Sequence, residues 1–234
     1  MGVQDRRRRE REAREAAILA AARELFISEG YEGASIDKIA AKLELSKRTI
    51  YLYFDSKDEL YYAVAKASLV LMAKMFREAV ERERIGLRQF AGIGLAYAEF
   101  WEKHQDSRRL LNIGAFVSSP REPGKRRLDF EQASSEVLGL MVRAIEQGIR
   151  DGSIRKELDP TTTALCISSS MQGVLQALDS QDSMFSSVQM PRRRFVAETL
   201  DLFSTAIAAP GHECQSFLET MNGAHELEEG GKRE

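Results

Sequence analysis

Cysteine and proline are scarce in this chain, with two and five residues in 234. Cys166 and Cys214 stand far apart and outside any C-x-x-C spacing, so neither a disulfide framework nor a thiolate zinc site is indicated, and a reducing cytoplasm is the expected compartment. The three histidines, His104, His212 and His225, are not spaced for a metal. There is no G-x-S-x-G nucleophile turn and no glycine loop to cradle phosphate, so no catalysis, metal or cofactor is expected. A membrane span needs about 18 consecutive apolar residues, and no segment supplies them. The first residues, Asp5 to Arg9, are a charged run where a signal peptide would be apolar. A net charge of -2 gives no global attraction to nucleic acid, yet a basic face is a local property that acids elsewhere can mask.

What the chain does have is helical periodicity, with 43% hydrophobic residues, and it reads as all α. Ile18, Leu19, Ala22, Leu25 and Phe26 make one apolar stripe, and Gly30 stops it, which predicts a first helix over about Arg9 to Glu29. Ser35 precedes Ile36, Ile39, Ala40 and Leu43, so a hydroxyl cap opens a two-turn helix. A turn at Glu44-Leu45 follows, and Ser46 caps the next short helix. Asp55-Ser56 punctuates before Lys57 starts a long helix through Leu60, Val64, Ala67, Leu71 and Phe76. Five more helices are expected at about Leu87 to His104, Asp106 to Ser118, Arg126 to Asp151, Pro160 to Leu178 and Pro191 to Ala208, with Gly/Pro breakers between them.

A short helix, a turn and a second short helix with a basic and aromatic outer face are the parts that major-groove reading needs. A step of about 100° per residue from Ser46 puts Ile50 on the buried side with Ser46 and Tyr53, while Lys47, Arg48, Tyr51 and Leu52 fan across the other side. Each polar residue also has a plainer reading. Ser35 is a helix cap whether or not it touches phosphate, Tyr53 suits a core position with an emergent hydroxyl, and Lys57 suits a solvated first turn. The Arg6 to Arg9 run fits either a phosphate-neutralising arm or a solubilising terminus.

Over Ile18 to Leu60 the chain resembles the N-terminal domain of the TetR family. The resemblance is carried by the Ala-Leu-Phe-type helix ending at Gly30-Tyr31, by Ala34-Ser35-Ile36-x-x-Ile39-Ala40, by the run Leu45 to Phe54, and by Ser56-Lys57-Asp58-Glu59-Leu60. Members often carry glycine where this chain has Glu44, and glycine or a small residue at Arg48. The resemblance implies DNA contacts at Ser35, Ser46, Lys47, Arg48, Thr49, Tyr51, Tyr53 and Lys57. Ser35 and Lys57 lie at helix starts, where free N–H groups favour phosphate; Arg48 and Thr49 are the candidates for base edges.

The implied organisation is a basic flexible arm over 1–10, a helix-turn-helix domain over 11–60, a helical effector-binding and dimerisation domain over 61–209, and a flexible acidic tail over 210–234. The implied partners are double-stranded operator DNA, a second copy of the chain and a small-molecule effector, with no membrane. For the pairing, Ser169, Gly173 and Ala177 form a ridge of small residues, and Leu200 and Phe203 lie on the apolar stripe of the last helix; one large monomeric core would use the same stripes. For the effector pocket the candidates are Tyr97, Phe100, Trp101, His104, Phe116, Met141, Cys166 and Met171, which serve equally as ordinary core. A repressor released by its effector is the leading expectation; an activator, a constitutive regulator or a helical protein-interaction module are the alternatives.

Overall fold

The apolar-periodic segments are helices in the computed structural model, which describes residues 3–114, 123–179, 191–213 and 216–217. Among the described residues these are α1 (Val3–Gly33), α2 (Ile36–Lys42), α3 (Lys47–Tyr51), α4 (Lys57–Glu81), α5 (Gly86–Lys103), α6 (Gln105–Gly114), α7 (Lys125–Asp151), α8 (Pro160–Asp179) and α9 (Arg192–Ile207). Two compact units result. One is made by the described residues within 1–71 and 104–134, the other by those within 72–103 and 135–234. The sequence places a boundary near residue 60; packing instead groups α6 and the start of α7 with α1 to α3, and divides α4 and α7 between the units.

Two departures from expectation concern α1. Gly30 interrupts it as anticipated, with φ +74°, but a last turn reaches Gly33 beyond the kink. At the other end helix already runs from Val3, where a flexible arm is expected. Pairs one turn apart support it: Arg6 with Glu10 at 3.5 Å, Arg8 with Glu12 at 3.9 Å, and Arg8 with Asp5 at 3.5 Å. Such exposed pairs contribute only about 0.3–0.5 kcal/mol each, so the extension rests on several of them together.

The first unit closes around Ile18, Phe26, Ile39, Ile50, Leu60, Tyr61 and Leu110, all fully or almost fully buried. Tyr61 is the hinge of an aromatic cluster, edge-on to Phe26 at 5.3 Å and to Tyr31 at 5.5 Å. Its hydroxyl donates to the Leu110 carbonyl, and Arg23 reaches Asp106 at 3.0 Å, which together seat α6 on this unit. In the second unit Leu200 and Phe217 pack on Gly94 of α5. The end of α7 and the loop after it cap α5: Asp151 accepts the Gly86 N–H at 2.8 Å and Ser153 accepts that of Leu87 at 3.1 Å. Burial raises the Asp151 pKa, yet bonds from Ser153, Gly86 and Gln147 outweigh it and hold the carboxyl below its ordinary range. Part of the expected tail is ordered into this unit, since Phe217 is buried and Asp201 accepts its N–H at 2.9 Å.

Candidate nucleic-acid interface

The interface is built from caps outward. Ser35 accepts the Lys38 N–H at 3.2 Å and opens α2; Ser46 accepts the Thr49 N–H at 3.1 Å and opens α3. Each such cap stabilises its helix by about 1 kcal/mol, a large share for helices this short. Between them the chain reverses at Glu44, whose φ of 55° lies in the left-handed region. Leu45 then donates back to the Ala40 carbonyl at 2.9 Å, fixing the angle between the helices.

Ile50 anchors α3 to the core with no exposed surface, which turns the opposite face outward: Tyr51 is 49% and Leu52 68% exposed. Lys47 and Arg48 are exposed on that face. Lys47 lies 2.6 Å from Asp37 of α2, so its charge is partly engaged at home. Arg48 has no ion pair among the described residues. Thr49 is half-buried and its hydroxyl sits 2.8 Å from that of Ser46, so cap and threonine form one polar unit at the start of α3. Tyr53 is half-buried beneath the Arg11 guanidinium, 5.6 Å from the ring centre.

Lys57, at the first position of α4, places its ammonium 4.1 Å above the Tyr31 ring. The Tyr31 hydroxyl donates to Asp58, and burial first, then that bond, push the phenol well above its ordinary range, so it stays a donor at any physiological pH. Sequence reasoning missed Tyr31 in this role. It also missed Glu59, although Ser56-x-x-Glu59 is a capping-box spacing. Ser56 indeed accepts the Glu59 N–H at 3.1 Å, while the buried Glu59 carboxylate accepts N–H groups from Arg126 at 2.8 Å and Arg127 at 3.3 Å at the start of α7.

The other candidate residues separate. Phe100, Trp101, Met141 and Met171 are buried in the second unit, and Tyr97 is half-buried there with its phenol pushed up to about 12 by burial. His104 belongs to the first unit. Cys166 is exposed, so it does not join an interior pocket: helix periodicity puts it on the outward side of α8. Phe116 lies outside the described residues, as does Cys214. Of the pairing candidates, Ser169 and Gly173 are exposed, Ala177 and Phe203 half-buried, and Leu200 is buried within its own chain against Gly94. The outward apolar residues are instead Leu165 on α8 and Leu202 on α9, 47% and 71% exposed. Among the described residues no three acids, histidines or cysteines cluster as a metal site, and no helix is long and apolar enough to cross a membrane.

Comparison with known proteins agrees with this geometry. Residues 18–64 match the family described as bacterial regulatory proteins, tetR family. The chain is 28% identical over 133 residues to the HTH-type transcriptional activator FasR of Mycolicibacterium smegmatis, a match covering 57% of this chain and 61% of that one, so it spans less than two thirds of that relative. It is 26% identical over 199 residues to the HTH-type transcriptional repressor AcnR of Corynebacterium jeikeium, covering 85% of this chain and 94% of that one. In fold it is similar to a tetR-family regulatory protein from Rhodococcus RHA1, with a TM-score of 0.64 at 21% identity over 83% of this chain and 97% of the other. The matched residues, 18–64, are those that carry the helix-turn-helix, so this domain is similar to that of the tetR family of bacterial regulatory proteins.

Proposed function

We propose that the chain is a sequence-specific, non-catalytic repressor acting in the cytoplasm, which binds its operator as a homodimer and releases it when a small molecule binds the second unit. The observation that carries the DNA reading is α3 itself, pinned by Ile50 and capped by Ser46, with Arg48, Tyr51 and Leu52 turned outward. In this reading Arg48, with Thr49 beside it, meets base edges, and Ser35, Ser46, Lys47, Tyr51, Tyr53 and Lys57 position the phosphates. The repressor sense is supported by the extent of the likeness to AcnR, which covers 85% of this chain against 57% for the activator FasR.

Pairing places the outward face of α8 and α9, with Leu165, Ser169, Gly173 and Leu202, against the same face of a second copy. Release follows from α4, one helix that starts at Lys57 beside α3 and ends at Glu81 in the other unit. A ligand that displaces its far end displaces Lys57, and half-sites about one helical turn apart tolerate little change in spacing. The test is selection of bound sequences from random duplex DNA by the full chain, repeated with a metabolite panel. An inverted repeat should be enriched, and an active metabolite should weaken binding by about 5- to 150-fold, with DNA weakening the metabolite by the same factor. No enrichment would refute the DNA reading; enrichment insensitive to every metabolite that binds would refute the release mechanism.

A further inference from the structure

We infer that the first three turns of α1 are a second DNA-binding element, a sequence-independent phosphate clamp for the duplex beside the half-site that α3 reads. The inference rests on the DNA-binding reading of α3 and extends it to residues outside the helix-turn-helix. From Gln4 to Arg14 the chain carries six arginines against three acids, in a protein whose net charge is -2. The helix sorts these charges by face. Arg6 and Arg8 are paired along the helix with Glu10, Glu12 and Asp5, and the Arg9 side chain donates to the Asp5 carbonyl at 3.3 Å. Arg7, Arg11 and Arg14, at i, i+4 and i+7, share one face and are all exposed, with no ion pair among the described residues.

That face is turned toward the recognition helix. Arg7, Arg11 and Arg14, with Glu10 on the rim, line an open groove of about 410 Å³ whose other wall is Leu52 and Tyr53, at the end of α3. Arg11 lies over the Tyr53 ring, which holds this guanidinium beside the surface that meets DNA. Glu10 is the acid among the residues lining this groove, and it is paired with Arg6 at 3.5 Å. The core of this unit begins at Ile18. A helix rises about 1.5 Å per residue, so the segment before Ile18 reaches about 20 Å further, which is more than half a turn of duplex. A basic stripe of that reach, opening beside the groove-reading helix, matches a phosphate backbone better than a small anion, because its arginines are spread one helical turn apart along an open groove rather than converging on one point.

The experiment compares the full chain with Arg7→Ala/Arg11→Ala/Arg14→Ala and, as the control for charge alone, with Arg8→Ala/Arg9→Ala, which leaves the Arg6–Glu10 pair in place. Alanine favours helix, so α1 is kept, and circular dichroism confirms it. Affinity for the selected operator duplex is measured from 50 to 200 mM salt, once with flanks of about ten base pairs and once trimmed to the half-sites. Three phosphate contacts contribute about 2.7 units of log-log slope, so over this range the wild type should lose about 40-fold more affinity than the triple variant on the flanked duplex. The difference should shrink on the trimmed duplex, and the control pair should change the slope by less than about one unit. A triple variant with the wild-type slope on the flanked duplex, or a control pair that flattens it equally, overturns the clamp while leaving α3 as the reader. A wild-type chain that selects no duplex overturns both.

Discussion

The carboxylate of Glu59, in the first turn of α4, accepts the backbone N–H of Arg126 at 2.8 Å, so a side chain of one long helix caps the start of another 67 residues away. The surroundings reinforce the contact. The Arg126 guanidinium reaches Glu15 of α1 and lies 5.6 Å from the Phe54 ring centre, and Arg127 sits over Tyr62. Gly124 lets the start of α7 approach the Glu59 side chain, since a Cβ there would lie 2.4 Å from the Glu59 carboxyl carbon.

Glu59→Gln keeps the shape but removes the charge that faces the positive end of α7, and a loss of about 1 kcal/mol in unfolding free energy is expected. Gly124→Ala should cost about 1–3 kcal/mol by pushing the same carboxylate away. Because both changes act on one contact, the double variant should lose clearly less than the sum. Urea denaturation of the four proteins checks this; strict additivity would show that the two residues act separately.

Glu44 occupies a left-handed conformation with a side chain that disfavours it. Glu44→Gly should therefore stabilise the chain by about 1 kcal/mol, the left-handed strain relieved being partly offset by the extra freedom of glycine in the unfolded state. Thermal unfolding reads the sign, and a lowered Tm would mean that Glu44 makes a compensating contact.

Much of this first unit was legible from residue types. Ser35 and Ser46 announce their helices because a cap is a local, chemically specific need, and Ile50 announces the buried side because helix periodicity leaves no other place for it. Glu44 stood out only through the resemblance, whose members often carry glycine there, and the left-handed backbone supplies the reason. The Glu59 contact was not visible: its spacing marks a cap, and nothing local says that the carboxylate serves a helix 67 residues on. In the second unit periodicity showed that α9 is apolar around much of its girth, but it did not distinguish which stripe belongs to the chain's own core. Leu200 and Leu202 differ by two residues and have opposite fates, one against Gly94 and the other outside.

That contrast gives a test of pairing. Leu202→Glu should leave helicity intact and yield monomers, since an unpaired carboxylate in an apolar interface costs several kcal/mol. Leu200→Glu should unfold the second unit instead. Sedimentation with circular dichroism separates the two, and a Leu202→Glu protein that still dimerises would place the interface elsewhere.

Lys57→Ala should weaken binding to specific and unrelated duplex alike, with the log-log salt slope flatter by about one unit, because a phosphate contact carries no base information. A loss confined to one sequence would remove Lys57 from the phosphate-contacting class.

The central claim is that α3 reads base edges through Arg48, and the direct test is a binding profile of wild type and Arg48→Ala over every single-base variant of the selected operator. The account predicts that Arg48→Ala erases the preference at one position per half-site, worth about 1–3 kcal/mol, and leaves the other positions in their order. A profile that falls uniformly or does not change would contradict it.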